Sequence, residues 1–241
     1  QSIRNTLSNK PYRWFLGSAL MREFNFITLA ATVPFWRKYV LGIQSPSVVF
    51  GVRLGPDLQE ALLLGVPFIL AIPCLQMWRR VTARYGPRVT WIIACLSWIP
   101  GLVVIFFARS FYVALLGTAM VAPGLAGYLM MFVVTLSEIT DYDTRRTGQY
   151  REGSFFGIAG LFMRLAFTLQ ALMFGLLLTP SGYVPNQPVQ PQSAVDAIRL
   201  IMAGAPAVAC LICATCLYFM RIPPPTAEQK AGAAGPAMPA A

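Results

Sequence analysis

Long apolar stretches alternate with short polar connections along this chain, with apolar runs at residues 12–41, 58–78, 89–108, 111–136, 154–178 and 194–220. A hydrocarbon core about 30 Å thick needs roughly 20 apolar residues at 1.5 Å of rise each, so every run is long enough to cross it as a helix. The pattern predicts an all-α membrane protein, with six transmembrane helices forming one bundle over residues 1–222. Arg22, Glu23 and Asn25 interrupt the first run, but the apolar pieces on either side are too short to span alone, which carries that polar trio into the membrane. The connection 137–153, SEITDYDTRRTGQYREG, holds too many ionisable groups to rest in hydrocarbon and reads as an aqueous loop. Residues 179–193 carry no charge and four prolines and predict an extended, irregular connection. The Pro, Ala and Gly-rich stretch 223–241 predicts a disordered tail.

Composition agrees, with 56% hydrophobic and 12% charged residues, far from the balance of a soluble domain. The net charge of +10 does not point to nucleic acid, because Lys and Arg fall in short clusters between apolar segments, as at a lipid surface. Those clusters alternate in weight. Twelve basic residues fall before run one, after runs two, four and six, and in the tail; Arg37, Lys38, Arg53, Arg109 and Arg199 make five on the opposite side. The positive-inside rule then places both termini in the cytoplasm. The chain opens at Gln1 with no signal-peptide pattern and reads as a fragment or a processed piece. Cys74, Cys95, Cys210, Cys213 and Cys216 all lie in apolar runs and the chain has no histidine, which argues against a disulfide framework, a metal site or any cofactor.

Depth along the helix decides which charges are buried. Arg164 lies about 16 Å into the fifth run and Arg22 and Glu23 about 14 Å into the first, by the helical rise. A guanidinium at mid-depth costs about 2.5–3.5 kcal/mol on insertion scales, so these groups are expected to face a protein interior or a wet cavity. Adjacent residues point about 100° apart, which makes a mutual Arg22–Glu23 bridge poor and suggests a Glu23–Arg164 pair between helices. Asn25 and Gln170 stand behind them as further cavity residues. Pro123, Gly124 and Gly127 in the fourth run read as a gating hinge, with a static kink or a packing notch as the alternative.

In the charged connection, Glu138, Asp141 and Asp143 mark the end of the fourth run, and Arg151 and Glu152 the start of the fifth; together they form a candidate cytoplasmic gate whose ion pairs break and re-form as helices move. Asp141 and Asp143 could also hold magnesium, as in membrane enzymes of pyrophosphate chemistry, but no nucleophile–base pair or phosphate-cradling loop accompanies them, and the chain does not read as an enzyme. This segment resembles the signature of the glycoside-pentoside-hexuronide:cation symporter family of the major facilitator superfamily. Glu138, Asp141 and Tyr142, then Thr147 and Gly148, then Arg151, Glu152 and Gly153 match its successive parts, and Arg164 falls where the family has a buried lysine. The resemblance extends to Gly182 and Tyr183, to Asn9, Lys10 and Pro11, and to the basic turn RRVTARYGPR at 79–88. Departures are Glu138 for an aspartate, Tyr150 for an arginine, and Arg164 for the lysine. Arginine does not release its proton readily, so charge pairing survives there and titration does not.

That resemblance implies the carboxyl-terminal half of a twelve-helix secondary transporter working by alternating access. It implies a sugar or other small polar solute, coupled to Na+ or H+ at a site in the amino-terminal half, with lysolipids or amino-acid derivatives as alternative substrates. The expected partners are the solute, the lipid bilayer, and the amino-terminal six-helix half or a second copy. The competing reading is a non-transporting membrane scaffold or a truncated half-transporter.

Overall fold

The computed structural model describes residues 6–185 and 187–223, so the predicted tail lies outside the described residues, its first residue, Pro223, excepted. The chain is almost wholly helical. Helix α1 spans Lys10–Phe35, closing into a π-helical turn at Trp36–Val40, and a short antiparallel hairpin follows, β1 (Ser47–Val49) with β2 (Val52–Leu54). Then come α2 (Pro56–Leu96), α3 (Trp98–Phe107), α4 (Phe111–Thr147), α5 (Glu152–Leu178) and α6 (Gln192–Arg199); a second π-helical turn at Leu200–Gly204 leads into α7 (Ala205–Phe219).

Local chemistry sets the ends of these helices. Asn9 caps α1, its side chain accepting from the Tyr12 amide at 3.3 Å, with Pro11 in the first turn, where no amide is needed. Ser110 caps α4 in the same way. Gly148 closes α4 in a left-handed conformation (φ 69°) that disfavours any residue with a Cβ, its amide bonded to the Thr144 carbonyl. Within α2, Gly86 leaves helical geometry altogether (φ 80°, ψ 164°) just before Pro87, so this element bends between two rods.

Four helical stretches are long and apolar enough to cross a membrane among the described residues: Pro56–Phe107, taken through the bend, Phe111–Thr147, Glu152–Leu178 and Gln192–Phe219. Helix α1, at 26 residues, is long enough, but Arg13, Arg22, Glu23 and Asn25 dilute its apolar character. Most of the polar segment after residue 136 is helix, and only residues 148–151 form a connection. Helix α4 runs on through Thr147, so Glu138, Asp141 and Asp143 sit on a helical extension; 37 residues make about 55 Å, well beyond a 30 Å core.

Helices α2, α3 and α4 make the tightest part of the core. A Cβ on Gly101 would lie 2.9 Å from the Gly117 carbonyl oxygen; one on Gly124 would overlap the Trp98 indole, and one on Gly127 the Ala94 side chain. The Trp78 indole donates to the Pro123 carbonyl at 2.7 Å, taking up one α4 carbonyl. Gly124 and Gly127 thus form packing notches, the alternative to a hinge that their sequence offered, and the Pro123 carbonyl accepts from Trp78. Helix α1 packs on α5 and α7: Tyr12 meets Phe155 of α5 edge to face, and a Cβ on Gly17 would lie 3.1 Å from Cys216 Sγ of α7, while Phe15 turns to Trp91 and Phe132 on α2 and α4. Helix α5 stands apart: only 6% of its apolar window is buried.

Candidate functional site

Two polar groups on α1 turn into the bundle. Arg22 Nη1 meets Glu23 Oε2 at 3.0 Å while its Nε donates to the Tyr128 carbonyl at 3.0 Å, and the guanidinium lies 4.8 Å from the Phe132 ring centroid. Both side chains are largely enclosed, at 13% and 15% exposure. The neighbour-to-neighbour bridge judged poor from helical geometry therefore forms. Arginine's long stem lets its planar head cross the angle between adjacent positions, and the α4 carbonyl fixes the other edge of that head.

Asn25, a turn further on, is fully buried and does not line an open cavity. Its Nδ2 donates to the Tyr128 hydroxyl at 3.1 Å and contacts Cys210 Sγ at 3.3 Å, tying α1 to α4 and α7. The Tyr128 ring stacks on Trp98, with centroids 4.9 Å apart. Tyr128 and Cys210 escaped the sequence reading because an aromatic and a thiol in apolar runs look like ordinary core. The one clue was a polar Asn25 at membrane depth, which requires a partner.

The proposed interhelical pair does not form: Glu23 is engaged by Arg22, and no ion pair joins it to Arg164 among the described residues. Arg164 sits on the exposed face of α5, in line with Gly157, Gly160, Thr168 and Gly175, where a Cβ on any of the three glycines would meet open space. Gln170 is half-buried on the same helix. The cavity residues named from sequence thus separate into an enclosed α1 cluster of Arg22, Glu23 and Asn25 and an open α5 face carrying Arg164.

The candidate gate gathers around one carboxylate. Asp143 is 1% exposed; its Oδ2 accepts from Arg151 Nη2 at 2.7 Å, and its Oδ1 from Arg146 Nη2 and Asn9 Nδ2, each at 3.2 Å. This joins the start of α1, the end of α4 and the start of α5, with the Tyr12 hydroxyl donating to the Phe155 carbonyl close by. Glu152 accepts from the exposed Tyr150 hydroxyl, and its carboxylate holds that phenol above its ordinary value. Glu138 lies apart from these contacts, beside Arg88, Arg221 and the Gly86–Pro87 bend. Arg88 in turn caps α7, Nε donating to the Leu217 carbonyl at 2.8 Å and Nη2 to that of Tyr218.

The chain is similar to an uncharacterized symporter of Synechocystis sp., 28% identical over 145 residues, a match covering 57% of this chain and 26% of the relative. It thus spans about a quarter of the length of the curated relative it matches. The family described as MFS/sugar transport protein matches residues 1–224, and this all-α membrane chain belongs to that family.

Proposed function

We propose that this chain is the carboxyl-terminal six-span half of a cation-coupled symporter that carries a sugar or another small polar solute by alternating access. Two spans on either side of Gly86, one in α1, and one each in α4, α5 and the Gln192–Phe219 stretch make the six. The observation that carries the reading is Arg164: a guanidinium midway along an apolar helix, exposed, without an ion-pair partner among the described residues, and flanked by glycines that leave its face open. In hydrocarbon such a group is costly, whereas at a wet passage against a second bundle it is solvated and free to meet an anionic or hydroxylated solute. The symporter name of the Synechocystis relative and the match of motif residues at Arg151, Glu152 and Gly153 support the same subfamily. The coupling ion, Na+ or H+, binds in the amino-terminal half on this reading, and the Asp143 junction forms the cytoplasmic gate, with both termini on that side.

One observation favours a second substrate class. An apolar cavity of about 80 Å3 opens between α1, α2, α3 and α4, lined by Phe26, Leu29, Val33, Phe68, Trp98 and Leu125. It suits a hydrocarbon chain better than hydroxyl groups, which favours the acyl chain of a lysolipid.

Uptake into proteoliposomes tests the proposal, with this chain alone compared with a version preceded by six further spans. Transport by the longer version alone supports the half-transporter; transport by neither leaves the scaffold reading standing. In the longer version, Arg164→Ala abolishes uptake while membrane insertion is retained, and Arg164→Lys separates charge from the planar fork. Wild-type uptake in the alanine variant reduces Arg164 to a surface residue.

A further inference from the structure

The hairpin β1–β2 is too apolar for the aqueous connection its place between two helices suggests. Phe50 is 70% exposed at its tip, and Val48 and Val52 are exposed beside it, while Val49 turns inward and Leu54 packs partly buried against the core. The tip is also expensive to build: Phe50 adopts φ 52° and Gly51 φ 79°, and a turn of this hand favours Asn, Asp or Gly over an aromatic residue. A large ring held there against backbone preference and left in water has no compensating contact large enough to explain it.

The hairpin is held at a defined height. Gln59 Nε2 donates to Ser47 Oγ and to the Leu54 carbonyl, each at 3.0 Å, which roots both strands on the first turn of α2. At the other end, the Phe50 amide faces the Tyr112 hydroxyl at 3.4 Å and the two rings meet edge to face at 5.3 Å. Tyr112 lies in the first turn of α4, so the tip is drawn to the level at which the apolar part of that helix begins. There it continues an exposed apolar wall formed by Phe107, Val113 and Leu116. Arg53, paired across the ladder with Val48, and Arg109, in the turn between α3 and α4, are exposed around the same level. Aromatic rings beside arginines at the end of an apolar wall are the chemistry of a lipid headgroup boundary.

We infer that the β1–β2 hairpin is a membrane-interface anchor, with Phe50, Val48 and Val52 seated in the bilayer face opposite the 79–88 turn and Arg53 and Arg109 at its phospholipid phosphates. The anchor fixes the height of the α1–α2 connection whether or not the chain transports.

Nitroxide labelling tests this in phosphatidylcholine–phosphatidylglycerol vesicles. The label is placed by Phe50→Cys, and separately by Val48→Cys in case the tip substitution disturbs the turn, with Cys74 and Cys216 replaced by alanine. Gln44→Cys in the same connection serves as the aqueous reference. The expected result is relaxation by oxygen rather than by a water-soluble nickel chelate at positions 48 and 50, at a depth of about 5–10 Å below the headgroup boundary. Nickel access equal to that at position 44 overturns the anchor in favour of an aqueous loop. Shielding from both reagents overturns it in favour of a protein partner.

Discussion

Asp143→Ala should be among the most damaging single substitutions at the helix junction. The carboxylate is nearly sealed, and its Arg151 partner at 2.7 Å keeps only 15% exposure. Breaking a buried pair by removing one member costs about 3–5 kcal/mol, because a charge is left desolvated and unpaired. The Arg146 contact is 44% exposed and adds less than about 1 kcal/mol after solvent screening. Loss of the Asn9 bond adds about 1 kcal/mol. Arg151 retains a path to water, so the low end applies to that pair, and a total of about 4–5 kcal/mol is expected. For a chain of this size each kcal/mol moves the melting point by about 2–4 °C, which gives a fall of roughly 8–20 °C. Asp143→Asn keeps an acceptor and is expected to lose about 1–2 kcal/mol. Thermal melts in detergent followed by intrinsic tryptophan fluorescence measure the shift, and a double-mutant cycle with Arg151→Ala isolates the pair, with a coupling of about 2 kcal/mol expected. A melting point for Asp143→Ala indistinguishable from wild type, or strictly additive costs in the cycle, refutes the idea that this carboxylate holds the junction together.

Gly124→Ala drives a methyl group into the Trp98 indole and is expected to destabilise by about 1–3 kcal/mol, read in the same melts; an unchanged melting point means that α3 and α4 can part without cost. Arg88→Ala frees the last carbonyls of α7, which should cost about 1–2 kcal/mol and speed protease cleavage near Arg221 in a limited digest; an unaltered digest removes the capping role.

What the sequence by itself determined was everything carried by local pattern. Apolar runs long enough to span a membrane specify helices wherever they occur, because unpaired peptide groups cannot be left in hydrocarbon. Asn9 before Pro11, Ser110 and Gly148 mark helix ends through bonds to neighbours only a few residues away. The succession of Glu138, Asp141 and Tyr142, Thr147 and Gly148, and Arg151, Glu152 and Gly153 carried the family resemblance. Only the tertiary structure decided which groups meet. Arg22 reaches Tyr128 across 106 residues, Asn25 reaches Cys210 across 185, and Asn9 reaches Asp143 across 134. Glu23 taking Arg22 rather than Arg164, and Gly124 and Gly127 becoming seats for Trp98 and Ala94, were decided by the same packing. Helical periodicity fixes the face a side chain occupies, but the identity of its neighbour depends on how the helices are arranged, and that arrangement is a property of the whole bundle rather than of any one run.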